Sequence, residues 1–174
     1  YDYYDNSGYG IIADTAYNGT FDGKNHTISG LSIKTKKYKK QGEKHYETYC
    51  QGLFGILGEA STVKNVTIDG EINARASGNE YIEAAQYIGS VAGINNGLIL
   101  NCINNASVTG HVKVGGICGA VGSQLKGKKQ VGGRVINCVN NGTVVSTSES
   151  SADAGGICGQ LAWGEISYSV NHGD

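Results

Sequence analysis

Two stretches of nearly identical sequence decide the fold, Gly115-Gly116-Ile117-Cys118-Gly119 and Gly155-Gly156-Ile157-Cys158-Gly159. Related glycine motifs occur earlier in the chain, at Gly52-Leu53-Phe54-Gly55 and at Gly89-Ser90-Val91-Ala92-Gly93. The last glycines of the four motifs follow one another after 38, 26 and 40 residues. Self-similarity at such spacings is typical of a repeat architecture, so we interpret the chain as a stack of similar units.

Two further motifs follow each glycine motif, except that the third is missing after the last copy. The asparagine-centred motif reads Val63-Lys64-Asn65-Val66, then Ile99-Leu100-Asn101-Cys102-Ile103-Asn104-Asn105, Val135-Ile136-Asn137-Cys138-Val139-Asn140-Asn141 and Ile166-Ser167-Tyr168-Ser169-Val170-Asn171-His172. The Thr/Val run includes Val66-Thr67-Ile68, Ser107-Val108-Thr109 and Thr143-Val144-Val145-Ser146. With 26 residues as the bare unit, each repeat has room for three short strands and three corners. The longer repeats then carry inserted loops.

The three motifs predict an all-β chain that forms a parallel β-helix, also called a β-solenoid. Parallel strands need a crossover connection, and a coil that returns to its starting point supplies one without helices. The 174 residues include 28 glycines and no proline, which suits tight corners and strands that are hydrogen-bonded on both sides. A leucine-rich-repeat horseshoe is excluded because no LxxLxL column exists. We expect about five coils of about 26 residues, stacked about 4.8 Å apart.

The organisation expected from this repeat is a short cap followed by one solenoid. Residues 1–20 are predicted to form the N-terminal capping segment, and residues 21–174 the solenoid repeats, which we expect to continue beyond residue 174 in a longer protein. The predicted inserted loops lie at about 34–51, 73–87, 123–134 and 146–154. Insertions on a repeat scaffold are where individual function usually resides.

The motifs resemble the GLUG-type repeats of bacterial cell-surface and secreted proteins. The resemblance extends to the stretch from Tyr17-Asn18-Gly19-Thr20-Phe21-Asp22-Gly23 to Leu31, which is similar to the segment that opens such arrays. It implies a right-handed β-helix in an extracellular or cell-wall-attached bacterial protein. Such repeats are found in adhesins, in proteins attached to peptidases that cleave immunoglobulin A, and beside carbohydrate-active modules. The repeat brings no catalytic residues.

Recurrence at fixed positions predicts ladders of identical side chains. We expect amide hydrogen bonds between Asn101 and Asn137 and between Asn104 and Asn140, and stacked thiols at Cys102/Cys138 and Cys118/Cys158. The five cysteines are an odd number, which excludes a complete disulfide framework. Whether the stacked cysteines are thiols or disulfides is left open, because geometry decides it.

The candidate binding residues lie in two basic insertions and at one tryptophan. They are Lys36, Lys37, Tyr38, Lys39 and Lys40 in the first insertion, Lys126, Lys128 and Lys129 in the second, and Trp163. The lysines could attract acidic glycans or phosphates, and the tryptophan could stack on a sugar ring. The alternatives are solvated loops that keep a sheet edge soluble and an aromatic that covers an open end.

Several function classes are disfavoured. A net charge of −1 argues against a nucleic-acid binder that works through bulk positive charge, and no apolar run suggests membrane insertion. The acidic residues are scattered singly, no HExxH motif occurs, and we predict no cofactor or metal.

We therefore expect a non-enzymatic segment that serves as an adhesin, a structural spacer or a binding scaffold. Its expected partners are host or bacterial glycans or surface proteins, further repeats, or a second copy bound end to end. The alternatives are a carbohydrate-binding or carbohydrate-processing β-helix similar to pectate lyase, and a non-catalytic region of an extracellular peptidase.

Overall fold

The computed structural model describes residues 16–34, 50–74, 87–124, 129–148 and 152–174. These residues form twenty β-strands, and none of them lies in a helix that could cross a membrane. In chain order the strands are β1 (Thr20–Lys34), β2 (Cys50–Gln51), β3 (Phe54–Leu57), β4 (Thr62–Asn73), β5 (Tyr87–Ile88), β6 (Ala92–Asn95), β7 (Leu98–Leu100), β8 (Ile103–Asn104), β9 (Ser107–Gly110), β10 (Lys113–Gly115), β11 (Cys118–Val121), β12 (Ser123–Gln124), β13 (Gln130–Val131), β14 (Gly133–Ile136), β15 (Val139–Asn140), β16 (Val144–Ser146), β17 (Asp153–Gly155), β18 (Cys158–Leu161), β19 (Gly164–Ser167) and β20 (Val170–Asn171).

Three parallel sheets contain all of these strands except two. Sheet 1 is formed by β2, β5, β10 and β17, and sheet 2 by β3, β6, β11 and β18. Sheet 3 has ten strands: β1, β4, β7, β8, β9, β14, β15, β16, β19 and β20. The two remaining strands, β12 and β13, form a short antiparallel pair. The chain is therefore a parallel β-helix, which confirms the predicted fold class.

The second coil shows how the chain goes round once. It runs through β5 in sheet 1, β6 in sheet 2, and β7, β8 and β9 in sheet 3, and then β10 lies beside β5. Ile88 in β5 is the register partner of Val114 in β10, so this turn takes 26 residues, as expected. The prediction of three strands in each coil was wrong, because this coil contains five. The asparagine motif is divided into two strands at Asn101, whose φ of 54° lies outside the extended region.

The glycine motif combines a corner with strand residues. Gly115 ends β10 and Cys118 begins β11, so the residues between them form the turn from sheet 1 to sheet 2. Glycine is needed at Gly119 because a Cβ there would overlap the backbone nitrogen of Ile88 in sheet 1. The glycine column therefore lets the backbones of sheets 1 and 2 pack directly against each other.

The four glycine motifs are aligned with one another in successive coils, as their spacing predicts. Phe54, Ala92, Cys118 and Cys158 are successive register partners in sheet 2, which aligns the glycine that follows each of them. Three of the four predicted insertions, at about 34–51, 73–87 and 146–154, fall where the chain passes from sheet 3 to sheet 1. Within them, residues 35–49, 75–86 and 149–151 lie outside the described residues. The second basic insertion begins with β12 and returns with β13, and its predicted last residue, Arg134, already belongs to β14.

Apolar side chains fill the stack in three layers. The main core lies between sheets 2 and 3 and contains Leu57, Val63, Ile68, Val91, Ile99, Ile117 and Val135. A second cluster, with Ile72, Ile88, Val108 and Val114, joins sheet 1 to the strands β4 and β9 of sheet 3. A third, with Ile56, Ile94 and Ala120, packs against Cys50 and Tyr87 of sheet 1. Sheet 1 is thus covered on both faces.

The two ends of the core differ. Near the N-terminal end, the ring of Tyr17 lies 4.8 Å from that of Phe54, and the ring of Phe21 lies 5.6 Å from the same ring. At the other end the last coil is open, with Leu161 54% exposed and Val170 46% exposed. The stack is therefore covered by aromatic rings at its first described coil and presents apolar side chains at its last.

Candidate functional site

A buried ladder of amides runs along the inside of sheet 3. Asn104 Nδ2 donates to Asn140 Oδ1 at 2.7 Å, and Asn140 Nδ2 donates to Asn171 Oδ1 at 2.7 Å. The side chains of Asn104 and Asn140 are fully buried. Each amide also closes its own turn: Asn140, for example, donates to the oxygen of Gly142 at 2.8 Å and accepts from its nitrogen at 3.2 Å. Every polar atom of Asn140 is therefore paired, which a buried amide requires.

A second ladder runs along the outside of sheet 3. It follows the bend that separates β7 from β8 in the second coil and β14 from β15 in the third. Asn137 Nδ2 donates to Asn101 Oδ1 at 2.8 Å, and Asn101 Nδ2 donates to Asn65 Oδ1 at 3.2 Å. The three residues have φ values of 52°, 54° and 54°. Asparagine tolerates this left-handed conformation better than most residues, which explains its recurrence at this bend.

The second ladder ends on a carboxylate. Asn65 Nδ2 donates to Asp22 Oδ1 at 3.0 Å, and the backbone nitrogen of Lys24 donates to the same oxygen at 2.9 Å. These hydrogen bonds, that of Lys24 first, hold the pKa of Asp22 below its ordinary value. Lys64 lies 3.6 Å from the other carboxylate oxygen, but both side chains are about one-third exposed, so this ion pair contributes little.

Between this ladder and a third one lies an exposed outer face. The third ladder joins Asn141 Nδ2 to Asn105 Oδ1 at 2.8 Å, and Ile103 and Val139 are register partners between the two amide rows. We define the outer amide face as Asn101, Ile103 and Asn105 in the second coil with Asn137, Val139 and Asn141 in the third. No charged residue occurs in 98–110 or 135–148. The face therefore offers hydrogen-bonding amides beside aliphatic groups without any charge.

Tyr168 occupies the bend of the last coil, where the preceding coils have asparagine. It has a φ of 52° and its side chain is 85% exposed. A bulky residue in the left-handed region is strained, and such strain often accompanies a functional role. Tyr168 was not among the predicted site residues. The signal was present in the sequence, because the asparagine motif changes to Ser-Tyr-Ser only in its last copy.

The predicted cysteine columns lie in the main core. Cys118 and Cys158 are direct register partners in β11 and β18, and Cys102 and Cys138 occupy equivalent places before β8 and β15. All five cysteines are free thiols. A hydrogen bond between the members of each pair raises the pKa of Cys102 and Cys118, and burial adds to that effect.

Most of the predicted basic residues cannot be placed. Lys36, Lys37, Tyr38, Lys39, Lys40, Lys126 and Lys128 lie outside the described residues. Lys129 is described: its Nζ lies 2.6 Å from Glu59 Oε1, and the two side chains are 62% and 52% exposed. A carboxylate already accompanies Lys129, so its charge is not all available to an anionic ligand. Its role in binding stays a prediction.

Trp163 lies in the turn between β18 and β19 and is half-buried. Its backbone nitrogen donates to the oxygen of Val121 at 3.2 Å, and its backbone oxygen accepts from Gly133 at 3.2 Å. The preceding coil therefore fixes the position of this turn through the backbone. A sugar-stacking role for the Trp163 ring stays a prediction.

The described residues contain no group of three or more His, Cys, Asp or Glu side chains that could hold a metal ion. What this part of the chain offers chemically is a set of hydrogen-bonded amide rows, two thiol pairs and an open last coil.

Comparison with known proteins finds similarity in sequence to halomucin and similarity in fold to a putative protease. The chain is 35% identical over 120 residues to halomucin of Haloquadratum walsbyi, a match that covers 66% of this chain and 1% of halomucin. It also matches the crystal structure of a putative immunoglobulin A1 protease from Bacteroides ovatus, with a TM-score of 0.57 and 23% identity over 94% of this chain and 49% of that one. No protein-family model matches. The structural likeness shows the fold alone. The chain spans 1% of halomucin and about half of the solved protein chain, and membership of the GLUG repeats stays a prediction.

Proposed function

We propose that this chain is a non-enzymatic β-solenoid segment of an extracellular or cell-surface protein, in which it acts as a rigid spacer and binding scaffold. The observation that carries the proposal is the continuity of the hydrogen bonds along the stack. Sheets 1 and 2 and the buried amide ladder link successive coils without a gap from β3 to β18 and from Asn104 to Asn171. Similarity to halomucin and to the fold of a putative immunoglobulin A1 protease supports an extracellular location.

Rigidity follows from this arrangement because bending the stack requires breaking bonds between coils. Each coil contacts its neighbours through three sheets, so the stability is a sum of similar interfaces rather than a single core. In the second coil every connection between strands is two residues long, except the glycine corner between Ile88 and Ala92, which has three. A stack built in this way keeps its length under load.

The last described coil offers a surface on which another coil can pack. Strands β17, β18 and β19 are hydrogen-bonded to a described strand on one edge only, and Leu161 and Val170 are exposed beside them. An additional coil, from further repeats or from a second copy, would cover these side chains and pair with the free edges. Such a junction would extend the spacer without a flexible linker.

Force spectroscopy tests the spacer function. The chain, held between handles at its two termini, should resist extension and then unfold in abrupt steps. Asn140→Ala should lower the unfolding force, and Asn141→Ala, which removes a similar but exposed amide, should leave it nearly unchanged. Gradual extension at low force, as for an unstructured linker, would contradict the proposal.

The outer amide face favours a second candidate function, the binding of a neutral polysaccharide. The amides can donate to and accept from the hydroxyl groups of sugars, the aliphatic groups can contact their C–H groups, and the lack of charge on this face disfavours acidic ligands. A glycan array should then show binding to neutral glycans that Ile103→Asp abolishes and Val145→Asp, outside the face, does not. Release of reducing sugars from such a polysaccharide would contradict the non-enzymatic assignment, and binding to acidic glycans alone would argue for the lysine-rich segments instead.

A further inference from the structure

The pair formed by Cys118 and Cys158 has the placement of a disulfide that has not closed. The two residues are direct register partners in the neighbouring parallel strands β11 and β18. Neighbouring strands place such Cα atoms about 4.8 Å apart, inside the range of about 4.4–6.8 Å that disulfides span. Cys118 is buried in the main core, and Cys158 packs against that core.

Closing the bond requires one strand to move. Register partners in parallel strands have Cβ atoms about 4.8 Å apart, whereas a disulfide needs about 3.5–4.5 Å. While no additional coil is paired with its outer edge, the strand β18 is hydrogen-bonded to β11 alone among the described strands, so it can approach β11 without losing hydrogen bonds on its far side. A bond formed under such strain is more easily reduced, which makes it reversible.

The pair Cys102 and Cys138 is a built-in comparison. It has the same column geometry, but β15 is held between β8 on one side and β20 on the other. Both of its side chains are fully buried, whereas Cys158 is partly exposed. A strand fixed on both edges cannot approach its partner without losing hydrogen bonds on its far side, so this pair should remain as thiols.

The two sulfurs of the Cys118–Cys158 pair are not equivalent. A hydrogen bond from Cys118 lowers the pKa of Cys158, and the same bond with burial raises the pKa of Cys118. The thiolate is the reactive form of cysteine, and access also favours the more exposed sulfur. Position and exposure therefore both mark Cys158 as the group that a reagent meets first.

We propose that Cys118 and Cys158 form a reversible disulfide that fastens the last coil to the stack, with Cys158 as the attacking thiolate. The oxidant is a small disulfide such as oxidised glutathione. The Cys158 thiolate attacks one of its sulfurs, forms a mixed disulfide and releases one glutathione thiolate. Cys118 then loses its proton to solvent, attacks the Sγ of Cys158 and releases the second glutathione. The two protein thiols lose two electrons, and the small disulfide is reduced to two thiols.

Treatment of the folded chain with oxidised glutathione, followed by alkylation and non-reducing peptide mapping, tests the proposal. We expect one disulfide, between Cys118 and Cys158, while Cys102 and Cys138 are alkylated once the protein is denatured. Added dithiothreitol should restore both thiols. Absence of this disulfide, or earlier formation of the Cys102–Cys138 bond, would overturn the proposal.

Variants test the order of the two steps. Cys118→Ser should accumulate one glutathionyl group on Cys158, because the resolving thiol is missing, and Cys102→Ser should behave like the parent chain. Circular dichroism shows whether each variant is folded, and Cys118→Ala serves in place of Cys118→Ser if the buried hydroxyl prevents folding. A glutathionyl group on any other cysteine of the folded variant would refute the assignment of Cys158 as the attacking group.

Discussion

Replacement of Asn140 by alanine should destabilise the stack more than any exposed substitution in sheet 3. The side chain of Asn140 makes four hydrogen bonds, at 2.7, 2.7, 2.8 and 3.2 Å, and is fully buried. Four bonds at about 1 kcal/mol each give about 4 kcal/mol, and the amide of Asn104, left buried beside a cavity, adds about 1 kcal/mol, so we expect a loss of about 5 kcal/mol. Alanine cannot replace any of these contacts.

Urea denaturation followed by far-ultraviolet circular dichroism measures the effect. The matched control is Asn141→Ala, which changes the neighbouring residue and removes the exposed amide bond to Asn105. Because water replaces that bond, its loss should cost less than about 1 kcal/mol. If the two variants were equally stable, the buried ladder would not hold the coils together and the reasoning would be refuted.

Three more substitutions test other features of the stack. Gly119→Ala should cost about 3 kcal/mol or more because the added methyl group overlaps the backbone of Ile88, whereas Gly132→Ala, whose Cβ would meet no atom closer than 3.4 Å, should change the urea midpoint little. Tyr168→Asn should stabilise the chain by about 0.5–1 kcal/mol, seen as a higher melting temperature, because asparagine tolerates the left-handed conformation; an unchanged melting temperature would show that the tyrosine is not strained there. Asp22→Asn should flatten the loss of stability in acid: the folded pKa of Asp22 lies below its ordinary value of 3.8, so its contribution is present above the unfolded pKa and disappears as the pH falls through the folded one. An unchanged pH profile would show that its hydrogen bonds do not bias folding.

The sequence was sufficient for the fold class and the register because both depend on side chains that recur in columns. Gly119 and Gly159 had to align for Cys118 and Cys158 to become register partners, and they do. The number of strands could not be read in the same way. The break at Asn101 depends on a backbone angle, and the same asparagine fits either a continuous outward ladder or a bend.

The sequence also could not predict which asparagine side chains point into the core. Asn104 and Asn105 are adjacent and recur together, but only Asn104 is buried, where its side chain makes three hydrogen bonds. That assignment requires the phase of the strand, which the bend at Asn101 resets. Tyr168 was absent from the predicted site residues for a related reason, because its significance lies in the angle imposed by the bend rather than in its residue type.

The position of the insertions explains how such a stack can vary without losing its structure. The second coil passes from Gly110 in sheet 3 to Lys113 in sheet 1 through two residues, whereas other coils have longer segments at the same corner. Loop closure becomes costlier only slowly with length, by about 0.6 kcal/mol for each doubling. The strands on both sides of this corner are held by contacts with the neighbouring coils, and those contacts do not depend on the connecting segment. Under the proposed function, the lysine-rich segment at 35–49 can therefore set what is bound while the amide ladders and glycine corners keep the spacer rigid.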